Sequence, residues 1–109
     1  MRNILVALMA SAMSLAAVQV ASAADITLQL KWVAQSQFAG YYVAEDKGFY
    51  DEEGLDVEIK AGGPDIAPEQ VIAGGGADVI VAWMGGALAT REKGVPLVNI
   101  AQPYQKSGL

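Results

Sequence analysis

Aromatic and amide side chains are the residues whose types and spacing suggest recognition of a small molecule. Trp32 ends an alternating apolar and polar run, and Gln37, Phe38 and Tyr41 follow shortly after it. Aromatic rings offer flat apolar surface for stacking, and amides supply donors and acceptors to a heterocycle. This pattern favours binding of a planar, uncharged or weakly polar ring. Packing of a helix on a sheet explains Phe38 equally well.

Two glycine-containing loops could line the same ligand. Residues 62–65, Gly-Gly-Pro-Asp, would allow close backbone approach, and the helix that follows could hold a polar or anionic group. The alternative is that Asp65 only caps that helix. Residues 83–86, Trp-Met-Gly-Gly, combine an indole and a soft thioether with two glycines, although core packing with a tight turn is an equal alternative. The predicted ligand-binding residues are Trp32, Gln37, Phe38, Tyr41, Gly63, Asp65, Trp83 and Met84.

Residue patterns for catalysis and metal binding are scarce. The chain contains no histidine and no cysteine, which removes the commonest general base, the soft metal ligands and the usual nucleophile pairs. The acidic clusters at 45–46 and 51–53 fall at a helix end and a turn, where a solvated surface is the simpler interpretation. We predict no catalytic residue, no metal and no cofactor.

The N-terminal residues have the composition of an export signal. Arg2 precedes an apolar run over 4–20, and Ala21-Ser22-Ala23 is the small-x-small pattern that signal peptidase cleaves. An uncleaved membrane anchor is the alternative, since about 20 apolar residues can span a bilayer. We expect residues 1–23 to be a signal peptide and the mature protein to be periplasmic. A lipid anchor at the cleavage site would need a cysteine, and the sequence has none, so we do not expect a lipoprotein.

The charge of the chain argues against two classes of partner. Twelve Asp and Glu residues outnumber seven Lys and Arg residues, and the formal net charge is −5. Binding to nucleic acid depends on neutralising phosphates, so an acidic chain is a poor candidate for it. The same reasoning applies to an anionic membrane surface.

The segments around these residues alternate between strand and helix patterns. Helices are predicted over 38–47, 85–93 and a segment that has Pro68 in its first turn and ends near Ala73. The predicted strands cover 26–32, 57–60, 79–82 and 97–101. The continuously apolar run 79–82 is typical of a central strand. The strands are separated by helical crossovers of about a dozen or more residues, which predict an α/β fold with a mostly parallel sheet. In such sheets, ligands bind beyond the carboxyl ends of the strands.

Four segments carry a family resemblance: Leu28 to Trp32, Gly40 to Tyr50, Glu53 to Val57 and Gly74 to Val79. They resemble one group of ABC-importer solute-binding proteins, related to sulfonate-binding proteins and to the fungal thiamine-pyrimidine synthase. The resemblance implies a fold like the type II periplasmic binding proteins, in which two lobes close on a ligand by hinge motion. Residues 24–109 would be part of the N-terminal lobe of a longer protein. The implied partners are a small-molecule ligand and the ABC permease and ATPase subunits.

Within this group, the chain is most similar to members that bind aromatic vitamin precursors, such as pyrimidines or flavins. Trp32 matches the family tryptophan, but Val33 to Phe38 replaces the Pro-Asn and later His of the pyrimidine-binding members. A flavin or another heterocycle therefore stays open. The main expectation is a non-enzymatic receptor that captures a small nutrient. The alternatives are an enzyme fragment similar to the synthase, a sulfonate or taurine receptor, and the sensing lobe of a membrane signalling protein.

Overall fold

The computed structural model describes residues 22–106, in which strands and helices alternate along the chain. The strands are β1 (Ala24–Gln29), β2 (Leu55–Lys60) and β3 (Val79–Ile80). A 3-10 turn, Ser36–Phe38, leads into the first of four helices. These are α1 (Ala39–Asp46), α2 (Phe49–Glu52), α3 (Pro68–Ala73) and α4 (Met84–Glu92). The predicted signal peptide lies outside the described residues, except for its last two positions.

The three strands form one parallel sheet in the order β2-β1-β3, which confirms the predicted α/β class. Leu28 of β1 lies opposite Ile59 on one side and Val79 on the other. The prediction that 79–82 is central is wrong for the described part of the chain. β3 is an edge strand of two residues, and β1 occupies the centre because it forms hydrogen bonds with both neighbours.

Residues 97–101 do not form the predicted fourth strand. The segment joins no strand of the described sheet, and Val98 and Ile100 are 77% and 75% exposed. Its carbonyl at Leu97 instead accepts a hydrogen bond from the Arg91 guanidinium. Alternating apolar residues favour extended backbone, but a strand also needs a partner edge for its ladder.

The helix ends follow the predicted local signals. Gly48 separates α1 from α2 with a φ of 73°, a left-handed conformation that suits glycine. Pro68 occupies the first helical position of α3, where its missing N–H costs no helical hydrogen bond. The alternative role of Asp65 as a cap is wrong, because Ala67 is the N-cap residue and no side chain caps the helix.

A small apolar core lies between the sheet and α1. Leu28, Leu30 and Phe38 are its buried members, with exposed fractions of 6%, 0% and 2%. Partly buried aromatic and aliphatic side chains pack against them: Tyr41, Tyr42, Val57, Ile59, Val79 and Val81. In residues 22–106, we find no helix with the length and hydropathy needed to cross a membrane.

Candidate ligand-binding site at the carboxyl ends of the strands

The backbone beyond β1 continues beside the backbone beyond β2. The N–H of Leu30 donates to the carbonyl of Lys60 at 2.8 Å, and the N–H of Gly62 donates to the carbonyl of Trp32 at 2.9 Å. A Cβ on Gly62 would lie 2.5 Å from the Leu30 oxygen and 2.6 Å from the Trp32 nitrogen, so only glycine fits. These contacts hold the Trp32 backbone at the sheet edge, while its side chain stays 40% exposed.

The side chain of Gln29 links the carboxyl ends of β1 and β2 by hydrogen bonds. It is 4% exposed, and its amide nitrogen lies 3.0 Å from the Leu30 carbonyl, 3.2 Å from that of Lys60 and 3.1 Å from that of Ala61. The amide thus supplies a donor to the Leu30 and Ala61 carbonyls where the ladder ends, and a second donor to the Lys60 carbonyl, which also accepts from the Leu30 N–H. This role is not predictable from the sequence pattern, because the alternation of residues 26–32 indicates a solvent-facing position for Gln29.

A charged pair lies beside the indole of Trp83. The Nζ of Lys31 is 3.7 Å from Oε2 of Glu69 and 5.7 Å from the centroid of the Trp83 ring. The Glu69 carboxylate is buried, with an exposed fraction of 8%. It lies on the first turn of α3, and the N-terminal end of a helix favours negative charge. A Cβ on Gly86 of α4 would overlap Oε1 of Glu69, so the glycine makes room for the carboxylate.

The sequence pattern does not predict roles for Lys31 and Glu69. Lys31 and Glu69 are far apart in sequence and are ordinary surface residue types, so no local pattern joins them. One sequence-based alternative placed Gly85 and Gly86 in a tight turn, but they lie in the first turn of α4. Glu69 and Gly86 also help to line a cavity of about 420 Å³ between α3 and α4.

A second group of predicted residues lies at the start of α1. A cavity of about 260 Å³ there is lined by Gln37, Gly40, Tyr41, Pro103 and Tyr104. The Tyr104 hydroxyl donates to the Gln37 carbonyl, and the Tyr50 hydroxyl donates to the Tyr41 carbonyl at 3.3 Å. Burial raises the pKa of Tyr41, and the nearby Tyr104 and Tyr50 raise it further. The Tyr41 hydroxyl, which is protonated at neutral pH as in any tyrosine of ordinary pKa, can donate a hydrogen bond.

The predicted ligand-binding residues do not all lie together. Trp83 and Met84 are 59% and 62% exposed at the start of α4, and Gln37 and Tyr41 line the smaller cavity. Phe38 is buried in the core, so packing is the role that the structure shows for it.

The 62–65 loop places Gly63 and Asp65 differently from the expectation. The close backbone approach belongs to Gly62, whereas the Cβ position of Gly63 is open. Asp65 is exposed in the turn before α3. Ligand contact by the eight residues stays a prediction. Among residues 22–106, no group of three or more His, Cys, Asp or Glu side chains is placed to hold a metal ion.

The family described as "NMT1/THI5 like" matches residues 35–108, which is more than half of the chain. A formylaminopyrimidine-binding protein of Halalkalibacterium halodurans is 27% identical over 103 residues, covering 89% of this chain and 31% of the relative. The riboflavin-binding protein RibY of Chloroflexus aurantiacus is 29% identical over 84 residues, covering 75% of this chain and 24% of the relative.

The chain thus spans about a third and about a quarter of the lengths of these two relatives. No solved structure matches it. The parallel sheet with flanking helices agrees with part of a lobe like those of the type II periplasmic binding proteins. The family resemblance drawn from the sequence is confirmed, and the chain belongs to the NMT1/THI5-like family.

Proposed function

We propose that this protein is a receptor that captures a planar heterocyclic nutrient and delivers it to an ABC permease and its ATPase. The observation that carries the proposal is the exposure of two indoles, Trp32 at 40% and Trp83 at 59%. Each follows the carboxyl end of a strand, and β1 and β3 are parallel neighbours. Both residues therefore belong to the edge where open parallel sheets bind ligands.

A ring ligand is the chemistry that suits these two residues. A tryptophan side chain gains most when its apolar faces leave water, and a stacked ring would cover them. The family relatives support this class, since one is named for a formylaminopyrimidine and the other for riboflavin. Both relatives are named as binding proteins, which favours a receptor over the synthase-like alternative.

A thermal-shift screen tests the receptor function. The whole protein encoded by the gene is heated with riboflavin, with formylaminopyrimidine and with taurine. A ligand that binds only the native state stabilises it, by about 2.7 kcal/mol at a hundredfold excess over Kd. We expect a higher midpoint with at least one of the two rings. A response to taurine alone would keep the receptor and reject the ring ligand, and no response to any compound would argue against the proposal.

Single substitutions then test the two indoles. Stacking of one ring contributes about 1–3 kcal/mol, so Trp32→Ala and Trp83→Ala should each weaken ring binding by about 5- to 150-fold. Phe49→Ala is the matched control, because Phe49 is an aromatic residue with 52% exposure at the start of α2, before the amino end of β2. Equal affinities in all three variants would place the site elsewhere.

Export is a separate part of the proposal and has its own test. Cleavage after Ala23 would give a mature protein that begins at Ala24. Mass spectrometry of the N-terminal peptide from a periplasmic fraction should find that terminus. An intact N-terminus in the membrane fraction would favour the anchored alternative.

A further inference from the structure

Lys31 lies just beyond β1, between a buried carboxylate and an exposed indole. Its side chain is 26% exposed, whereas that of its ion-pair partner Glu69 is 11% exposed. The ammonium also lies 5.7 Å from the centroid of the Trp83 ring. The positive charge is thus held at the sheet edge that carries the two exposed indoles, and it still reaches solvent.

Glu69 is fixed in place by its surroundings. It is on the first turn of α3, and the absence of a Cβ at Gly86 lets its carboxylate lie against α4. A carboxylate buried to this extent is unfavourable unless a cation accompanies it. The pairing therefore restrains the Lys31 ammonium, which would otherwise move freely at the end of a long side chain.

The ammonium keeps hydrogen-bonding capacity in this position. The Lys31–Glu69 separation of 3.7 Å is longer than an N–H···O hydrogen bond, and an ammonium carries three donors. Its distance from Trp83 is within the range of about 6 Å for a cation near an aromatic face. A ring that contacts the exposed part of Trp83 would come within reach of these donors.

We propose that Lys31 is a ligand-binding residue and that Glu69 is its positioning residue. The ammonium donates a hydrogen bond to a carbonyl or anionic oxygen at the edge of the ring that contacts Trp83. This inference rests on the proposed function and narrows the ligand to planar heterocycles that carry such an oxygen. It also adds a cation to a predicted set of ligand-binding residues that contains no basic side chain.

Iodide quenching tests whether Lys31 presents positive charge beside Trp83. The sequence has two tryptophans, so Trp32→Phe leaves Trp83 as the fluorescent residue. In that background, Lys31→Met should lower quenching by iodide about twofold, because the attraction for the anion is lost. Quenching by neutral acrylamide should stay the same. Lys47→Met, which removes a lysine at the end of α1, should change neither value.

A pair of rings tests the hydrogen bond itself. Orotate and uracil share a pyrimidine ring, and orotate adds a carboxylate. We expect the protein with both tryptophans to bind orotate at least about tenfold more tightly than uracil in calorimetry, since charge-assisted hydrogen bonds are the strong ones. Lys31→Met should abolish the difference, and Lys31→Arg should restore part of it. Equal binding of the two rings, or failure to bind either, would overturn the proposal.

The positioning role of Glu69 has a signature of its own. Glu69→Gln should weaken orotate binding, because the ammonium is no longer held, yet iodide quenching should not fall, because a negative charge has been removed. Gly86→Ala should weaken orotate binding by displacing the carboxylate. Gly85→Ala is its control, since the Cβ position of Gly85 is open. Equal orotate binding by the two glycine variants would contradict the role of Glu69.

The two proposals fail in different ways. If ring ligands raise the thermal midpoint but Lys31→Met changes neither iodide quenching nor ring discrimination, the receptor stands and the role of Lys31 is rejected. If iodide quenching depends on Lys31 but no ring binds, the charged site is real and the proposed receptor function is rejected together with its ligand class.

Discussion

The backbone N–H of Gly62 donates a hydrogen bond of 2.9 Å to the carbonyl oxygen of Trp32. The two backbones approach so closely that a Cβ on Gly62 would lie 2.5 Å from the carbonyl oxygen of Leu30. Main-chain contacts therefore fix the position of the candidate site at Trp32. Trp32 stands at the sheet edge because the segment after β2 holds its backbone there.

Gly62→Ala should destabilise the protein, by about 1–3 kcal/mol, because the new methyl group meets backbone that cannot move aside cheaply. Gly63→Ala provides the matched control, since nothing lies within 4 Å of its Cβ position. The control should stay within about 0.5 kcal/mol of the parent. Urea unfolding of both variants measures the effect, and identical midpoints would show that the close approach is absent.

Asp78→Ala should lower the free energy of unfolding by about 1.5–3 kcal/mol, the value of a hydrogen bond to a charged group. The Asp78 carboxylate accepts from the Thr27 N–H at 2.8 Å, and the Asp78 N–H donates to the Thr27 carbonyl at 2.9 Å. The residue thus joins the start of β3 to the central strand. Asp78→Asn keeps an acceptor oxygen and should lose less.

Asp56→Ala is the control for this measurement, because Asp56 is an exposed residue, the second of β2. Chemical denaturation of the three variants should rank Asp78→Ala as the least stable. A loss for Asp56→Ala as large as that for Asp78→Ala would mean that the Asp78–Thr27 contact contributes nothing specific.

Gln29→Glu should destabilise the protein more than Gln29→Met does. The glutamate removes both N–H donors and places a carboxylate against three carbonyl oxygens, whereas methionine only removes the donors to those oxygens. We expect the free energy of unfolding to fall by about 1–3 kcal/mol in Gln29→Met and by more in Gln29→Glu. Glu58→Gln, on the exposed face of β2, is a charge control that should have little effect. Equal stability of the two Gln29 variants would contradict the buried hydrogen bonds.

Stability should fall as the pH rises above about 10. Burial raises the pKa of Tyr41 above 10.0, and burial together with the nearby Glu45 raises that of Tyr50. Between the unfolded and folded pKa values, the folded state holds more protons than the unfolded state. The stabilisation is complete below the unfolded pKa and is lost as the pH rises through the folded pKa.

Thermal midpoints from pH 8 to pH 12 follow this loss, with pH values chosen on either side of about 10. Tyr41→Phe and Tyr50→Phe should each show a shallower decline than the parent, and the double variant should be shallowest. Absorbance of the tyrosinate ions reports the titration directly. A decline of the same steepness in all four proteins would assign the pH dependence to other groups.

Much of the local structure could be predicted because it depends on residues close together in sequence. The alternating side chains of β2, the left-handed Gly48 and the first-turn Pro68 all appear where their patterns placed them. The side chains of β1 do not alternate in burial, since Leu28 and Gln29 are both buried. The position of Trp32 at the exit of β1 was predictable for the same reason. The family could also be identified, since its segments are carried by contiguous residues.

The remaining features depend on which distant segments meet, and the sequence does not encode that in a local pattern. The apolar run 79–82 suggested a central strand, but pairing on both sides made β1 central. Residues 97–101 have a strand pattern without a partner edge in the described sheet. The burial of Gln29 depends on the Lys60 and Ala61 carbonyls that approach from β2.

The sequence alone determined the residue types that could bind a ring, the strand and helix periods, and the family. Tertiary structure decided that Gly62, and not Gly63, makes the close backbone approach, and that Lys31 meets Glu69 beside Trp83. The physical reason is that periodicity and turn conformations are set by neighbours along the chain. Packing, ion pairs and buried hydrogen bonds are set by neighbours in space.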